Sequence, residues 1–229
     1  MINALVLHKW WAGDTSARVV FFTREQGLIT AFCSGGRTPK KQALLQAFTP
    51  LWLTLDMRRD WYYVRQIEHA DVAFSLVDIS LFAGLYINEL LYHALNMGSE
   101  PMPWLFDAYL QVLAELLPAR ERVAIERILR AFELLFLAAI GYELTLTHEA
   151  HTNKPIVAEG YYTFVAGVGF SATRIGIAGV DILAIAGGDL QQRSALTAAK
   201  NILRHAIDHA LGGKKIRVRN MYHAYLRAC

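Results

Sequence analysis

The spacing of apolar residues changes once along this chain, near Asp71, and that change limits the folds open to it. Before it, short runs rich in β-branched and aromatic residues alternate with turn signals, which is typical of a small barrel. After it, apolar residues recur every three to four positions, which is typical of packed helices. We therefore expect an α+β protein with an N-terminal barrel followed by a mainly helical domain.

Five apolar runs before the change predict strands, at residues 4–8, 17–23, 28–33, 51–55 and 61–67. Gly27 lies between the second and third runs and can take the positive φ of a tight turn, which predicts a β-hairpin there. Pro39 suits the first turn of a short helix that begins near Lys40. Five strands with one short interposed helix follow the plan of the OB fold, so we assign residues 1–75 to an OB-like barrel.

The second domain is expected to cover residues 76–229. Its pattern predicts helices at residues 79–97, 104–117, 120–140 and 197–211, and a short one after the basic run at 214–219. Residues 145–189 are irregular and rich in glycine, and contain only short β-like pieces such as 161–165.

Charge is distributed unevenly along the chain. The net charge of the whole chain is +3, but residues 1–65 carry +5, residues 66–199 carry −8 and residues 200–229 carry +6. Basic segments attract polyanions or acidic peptides, so the two basic ends are candidate binding regions. The longest apolar run, at 134–142, is shorter than the roughly 20 residues that span a bilayer, and the N-terminus lacks a signal-peptide pattern, so we expect a cytoplasmic protein without membrane contact.

The densest group of residue types that bind nucleic acid lies in the predicted barrel. Cations beside aromatic rings suit a groove for single-stranded nucleic acid, because cations bind phosphates and each stacked base contributes about 1–3 kcal/mol. The residues that we predict to bind DNA are Lys9, Trp10, Arg18, Arg24, Arg37, Lys40, Lys41 and Tyr62, with Trp11, Trp61 and Tyr63 nearby. The alternative is that the aromatic side chains fill the barrel and the lysines only solvate its rim.

Few residues suggest other chemistry. His148 with His151, and His205 with His209, have the spacing of half a metal site, but neither pair has companions in the sequence. Cys33 and Cys229 are too few for a thiolate site, and we expect a buried side chain and a thiol in the tail. We therefore expect no metal and no cofactor.

Nucleotide-binding loops, dinucleotide fingerprints and Gly-x-Ser-x-Gly are absent from the sequence, which indicates a protein that is not an enzyme. Two alternatives stay open: a metalloenzyme built on His148 and His151, and a scaffold whose barrel binds protein instead of DNA.

A series of short motifs resembles, in order and spacing, the RecO family of DNA repair and recombination mediator proteins. They are ALVLH at 4–8, FTREQG at 22–27, GGR at 35–37, QAFTPL at 46–51, GLYINELL at 84–91, FDAYL at 106–110, RAFEL at 130–134 with GY at 141–142, and LGGKK at 211–215. The resemblance covers nearly the whole chain and is weakest over 145–189.

The resemblance implies a recombination mediator in the cytoplasm, at the nucleoid. Its OB fold would bind and anneal single-stranded DNA, and the protein would help to load a recombinase onto DNA coated with single-stranded DNA-binding protein. RecR is the implied partner, and RecF and RecA are indirect ones. Many relatives carry a four-cysteine zinc site after the Gly-Tyr pair, where this chain has His148, His151, Ser171 and Arg174, so the resemblance implies a degenerate site without metal.

The resemblance also implies a site for a partner peptide in the helical domain. In the family, the acidic C-terminal tail of single-stranded DNA-binding protein binds there, and Arg130 matches a basic position of that site. The charge of the C-terminal third leads us to add Lys200, Arg204, Lys214 and Lys215 to it. The alternative for Arg130 is a structural ion pair, for example with Glu126 one helical turn before it.

Overall fold

A computed structural model describes residues 1–228 of the chain. These residues group into two compact units, each described here by itself. Unit 1 consists of Met1–Ala119 together with the chain from Ile216 onwards, and unit 2 consists of Arg120–Lys215. The expected boundary between residues 75 and 76 lies inside unit 1, and the division into functional domains stays a prediction.

A closed five-stranded barrel forms the first part of unit 1. Its strands are β1 (Ile2–Ala12), β2 (Ser16–Thr23), β3 (Gly27–Cys33), β4 (Leu51–Arg58) and β5 (Trp61–His69). They pair in the order β1-β2-β3-β5-β4, and the ring closes between β4 and β1. Only β3 and β5 pair in parallel among these strands. The predicted α+β fold with an N-terminal OB-like barrel is confirmed.

Strand β1 is longer than the five-residue run that predicted it. Pairing with β2 extends as far as Ala12 opposite Ser16, with a bulge between Val6 and His8. Two tryptophans, Trp10 and Trp11, therefore belong to the strand. Pairing with β2, which the local sequence of β1 does not encode, sets the length of this strand.

Seven helices lie in the described chain. They are α1 (Pro39–Leu44), α2 (Asp78–Ala94), α3 (Pro103–Leu116), α4 (Arg122–Ala139), α5 (Gly179–Ala186), α6 (Arg193–Ala210) and α7 (Arg217–Ala228). Pro39 occupies the first turn of α1, as expected. Leu44 and Leu45 pack into the barrel core, which also contains the buried Cys33; Cys229 lies outside the described residues.

Helices α2, α3 and α7 pack within unit 1. The buried hydroxyl of Tyr109 in α3 donates a hydrogen bond to the side-chain oxygen of Asn88 in α2. The Asn88 amide in turn donates to the carbonyl oxygen of Val6 in β1, at 3.4 Å. This buried chain of polar contacts fixes both helices against the barrel.

Unit 2 contains α4, α5, α6 and a small antiparallel sheet. The sheet is ordered β7-β6-β8, with β6 (Tyr161–Val165), β7 (Gly169–Thr173) and β8 (Ile177–Ala178). It lies in the segment 145–189, where the sequence indicated only short β-like pieces, and the piece at 161–165 coincides with β6. The strands have five, five and two residues and are separated by glycine-rich turns, so they are too short to give a periodic signal.

Within residues 1–228, no helix is both long and apolar enough to cross a membrane.

Candidate nucleic-acid interface

Outward-facing aromatic and cationic side chains form a row across four strands of the barrel. Trp10 of β1 lies opposite Arg18 of β2, Arg18 opposite Phe32 of β3, and Phe32 opposite Tyr63 of β5. The residues that flank Arg18 and Phe32 in sequence are buried in the core, and side chains alternate between the two faces of a strand, so the row lies on the outer face. We call Trp10, Arg18, Phe32, Trp61 and Tyr63 the strand-face cluster.

Arg18 lies against two indole rings. Its guanidinium carbon is 5.6 Å from the ring centroid of Trp10 and 5.2 Å from that of Trp61. Its Nε–H is buried and donates to no acceptor among the described residues. Trp10 and Trp61 are 40% and 44% exposed. Because arginine is always protonated, the cluster holds a permanent positive charge beside two rings on which bases can stack.

The rings continue from Trp61 across β3 and β5. Phe32 lies 5.5 Å from Trp61 edge-on and 5.5 Å from Tyr63 in a stacked arrangement. The Arg58 guanidinium lies 5.5 Å from the Tyr63 ring and 3.5 Å from the Asp56 carboxylate. This end of the cluster therefore carries a second arginine.

A second group of cations surrounds Trp11 and the loop before α1. The Lys9 ammonium lies 5.9 Å from the centroid of the Trp11 ring, and the guanidinium carbon of Arg37 lies 5.2 Å from it. Lys9 donates to the carbonyl oxygen of Leu45 at 2.6 Å, and Arg37 donates to that of Gly13 at 3.0 Å. Burial lowers the pKa of Lys9.

Lys41 also belongs to this group. Its ammonium donates to the carbonyl oxygen of Ser34, in the loop before α1, at 2.6 Å. We call Lys9, Trp11, Arg37 and Lys41 the loop cluster. A carbonyl oxygen orients a cation without cancelling its charge, so these side chains keep their attraction for phosphate. Lys40, beside Lys41 on α1, is exposed.

Six of the eight predicted DNA-binding residues lie in or beside these two clusters, and two lie elsewhere. Arg24 forms a bidentate ion pair with Asp107 of α3, with both N–O distances at 2.9 Å. The hydrogen bonds from Arg24 lower the pKa of Asp107. Tyr62 packs against the barrel core. Neither placement favours contact with DNA.

Phe32 and Arg58 were not among the predicted residues, and Trp61 and Tyr63 were noted only as lying near them. The alternation of inward and outward side chains along β5 distinguishes Trp61 and Tyr63 from Tyr62. Val64 is buried, so Tyr62 shares its inward face, whereas Trp61 and Tyr63 face outward.

The residues predicted to bind a partner peptide lie in unit 2. Arg130 is buried and donates to Glu133 at 2.6 Å, so its partner is one turn further along α4 rather than Glu126. Glu126 instead accepts hydrogen bonds from Arg122 at 3.1 Å and Lys200 at 3.3 Å. The side chains of the other predicted residues are exposed: Lys200, Arg204, Lys214 and Lys215.

A metal site needs several ligand side chains in one place. Within residues 1–228, no three histidine, cysteine, aspartate or glutamate side chains are grouped as an ion would require. His148 is instead 2.9 Å from the Thr147 hydroxyl.

Comparison with known proteins gives a consistent result along the whole chain. Residues 1–73 match the family model described as Recombination protein O N terminal, and residues 79–219 match Recombination protein O C terminal. The chain is 52% identical over 225 residues to DNA repair protein RecO of Legionella pneumophila (strain Corby), covering 96% of both chains. It is 34% identical over 230 residues to the protein of that name from Actinobacillus pleuropneumoniae serotype 7, covering 98% of this chain and 95% of the relative.

Proposed function

The chain belongs to the RecO family of DNA repair proteins, and from this premise we propose that it is a recombination mediator that binds and anneals single-stranded DNA. In this role it helps to load a recombinase onto DNA coated with single-stranded DNA-binding protein. The observation that carries the proposal is the strand-face cluster, with Arg18 held between two partly exposed tryptophans.

Two physical contributions support binding of an unpaired strand at this surface. Stacking on Trp10, Trp61 and neighbouring rings stabilises bases of any identity, by about 1–3 kcal/mol for each base. Arg18 and the cations of the loop cluster displace counterions from the phosphates, which gives binding a strong salt dependence. The same charge reduces repulsion between two strands held together, which favours annealing.

The partner-binding part of the proposal concerns unit 2. An acidic peptide tail fits a surface that carries Lys200, Arg204, Lys214 and Lys215, whose side chains are exposed. Arg130 is only 9% exposed at its side chain and is paired with Glu133, so the exposed cations are the more accessible anchors. RecR remains a proposed partner through the family.

Fluorescence anisotropy with a labelled single-stranded oligonucleotide tests DNA binding. We expect Arg18→Gln to weaken binding about tenfold or more, because a hydrogen bond to a charged group contributes about 1.5–3 kcal/mol. Trp61→Ala should weaken it by a stacking contribution of about 1–3 kcal/mol.

Arg24→Gln is the matched control, since Asp107 already pairs with Arg24, and we expect its affinity to stay within about twofold of the original protein. Unchanged affinity of Arg18→Gln at several salt concentrations, with the circular dichroism spectrum preserved, overturns the assignment. If the original protein itself does not bind the oligonucleotide, the scaffold interpretation takes its place.

A further inference from the structure

The aromatic surface of the barrel continues beyond the strand-face cluster onto α2. The His8 ring of β1 lies 4.5 Å from Trp10, edge to face, and 5.1 Å from Tyr92 of α2. Trp10 and Tyr92 are themselves 6.3 Å apart. The rings of His8 and Tyr92 thus link Trp10, beside Arg18, to the last turn of α2 within unit 1.

The first turn of α7 is held at the same end of α2. The Glu89 carboxylate accepts the backbone N–H groups of Arg217 and Val218, both at 2.9 Å. Val218 is buried, whereas Arg217 is exposed. The contact with Glu89 uses the backbone of Arg217, so its guanidinium remains available at the surface.

Glu89, which binds the backbone of Arg217, and Tyr92 lie one turn apart on α2, so the first turn of α7 begins beside the three rings. Burial lowers the pKa of His8, and the charges of Arg217 and His93 lower it further. Glu89 is an acid at this end of α2; it is 14% exposed at its side chain, accepts two backbone hydrogen bonds and lies 3.6 Å from His93. Its negative charge is therefore largely satisfied within the protein.

We propose that single-stranded nucleic acid runs from Trp10 over His8 and Tyr92 to the start of α7, where Arg217 binds its phosphate backbone. The proposal rests on the proposed DNA binding by the barrel and adds a second segment to that path. Continuity of the rings with the strand-face cluster favours a nucleic acid over an acidic peptide, because every base of a strand has a π face that can stack on such a series of rings. Helix α7 contains no acidic residue between Arg217 and Arg227, which suits a polyanion.

Oligonucleotides of two lengths separate this segment from the barrel. An oligothymidine of about 6 nucleotides can be accommodated by the strand-face cluster alone, whereas one of about 16 nucleotides reaches the upper range of an OB-type site. We expect Arg217→Gln to weaken binding of the longer strand about three- to tenfold and to reduce its salt slope by about 0.7. Binding of the shorter strand should stay within about twofold.

Arg227→Gln is the control, because it removes the same charge from the other end of α7, about 15 Å along the helix. It should leave both affinities unchanged. An Arg217→Gln variant that binds the longer strand as tightly as the original protein overturns the extension but leaves the barrel site standing. An equal loss in both variants overturns it as well, because the effect is then one of net charge. If the original protein binds neither strand, the proposed function itself fails.

Discussion

A buried ion pair between Arg130 and Glu133 lies inside α4, where neither charge reaches bulk water easily. Their side chains are 9% and 2% exposed. Removing one partner of such a pair leaves the other charge in a medium of low polarity, which costs more than the pair itself contributes. Arg130 is therefore a structural residue of unit 2, whatever it contributes to partner binding.

We expect Arg130→Ala to lower the free energy of unfolding by about 3–5 kcal/mol, as measured by urea denaturation. The double variant Arg130→Met/Glu133→Leu should recover part of that loss, since it leaves no carboxylate to bury. A single variant as stable as the original protein would contradict the prediction. Peptide-binding tests are then better made with Lys200→Gln and Arg204→Gln, whose side chains are exposed.

At the residue scale, the structure brings some of the predicted DNA-binding side chains together and places others elsewhere. Arg18 and Trp10 could be predicted because cations and aromatics gather in that stretch. Arg24 could not be excluded, because its partner Asp107 lies 83 positions away in the chain. Such a contact depends on how α3 packs on the barrel, which no local pattern encodes.

Among the elements, α7 shows how strongly a helix can depend on a side chain outside it. Val218 is buried, the Tyr225 ring lies 5.0 Å from the Phe82 ring in a tilted arrangement, and the Arg219 guanidinium lies 5.6 Å from the Tyr86 ring. The Glu89 carboxylate, from α2, satisfies two N–H groups that the first turn of any helix leaves without intrahelical partners.

We expect Glu89→Ala to destabilise docking of α7 by about 1 kcal/mol, comparable to the loss of a helix cap. Hydrogen exchange followed by mass spectrometry should show residues 217–228 exchanging roughly fivefold faster, while α3 is unaffected. Glu115→Ala is a suitable control. Glu115 lies in α3, is exposed and accepts a hydrogen bond from its neighbour Gln111. Equal exchange in α7 before and after the Glu89 change would contradict the role of this carboxylate.

The elements of the barrel were predictable because hairpins and alternation are local features, whereas strand ends were not. The hairpin turn at Gly27 was predicted from the positive φ that glycine permits, and φ there is 66°. The ends of β1 depend on β2, and the sheet β7-β6-β8 consists of strands too short to show a period. Sequence patterns therefore located the barrel strands and the long helices, whereas in the segment 145–189 they indicated the piece that forms β6 but not β7, β8 or the short helix α5.

For the molecule as a whole, the placement of charge matters more than its total. Unit 1 contains both the basic barrel and the basic helix α7, although the two are at opposite ends of the sequence. The net charge of +3 conceals this grouping.

We expect the triple variant Arg37→Gln/Lys40→Gln/Lys41→Gln to reduce the salt slope of single-stranded DNA binding by up to about 2, because each phosphate contact contributes roughly 0.7. The triple variant Lys200→Gln/Arg204→Gln/Lys214→Gln removes the same charge from unit 2 and should leave the slope nearly unchanged. Anisotropy titrations at four or more salt concentrations measure both. Equal slopes in the two variants would show that total charge, not its position, governs binding.

The packing of α7 on α2 also sets an order for folding during synthesis. Synthesis runs from the N-terminus to the C-terminus, so the barrel and α2 emerge well before residues 217–228 exist, with all of Arg120–Lys215 made in between. Until then Phe82 and Tyr86 lack the tyrosines and the arginine that later cover them. Translation of unit 1 thus begins before that of unit 2 but ends after it. A nascent chain stalled before Ile216 would expose an aromatic patch that chaperones could bind.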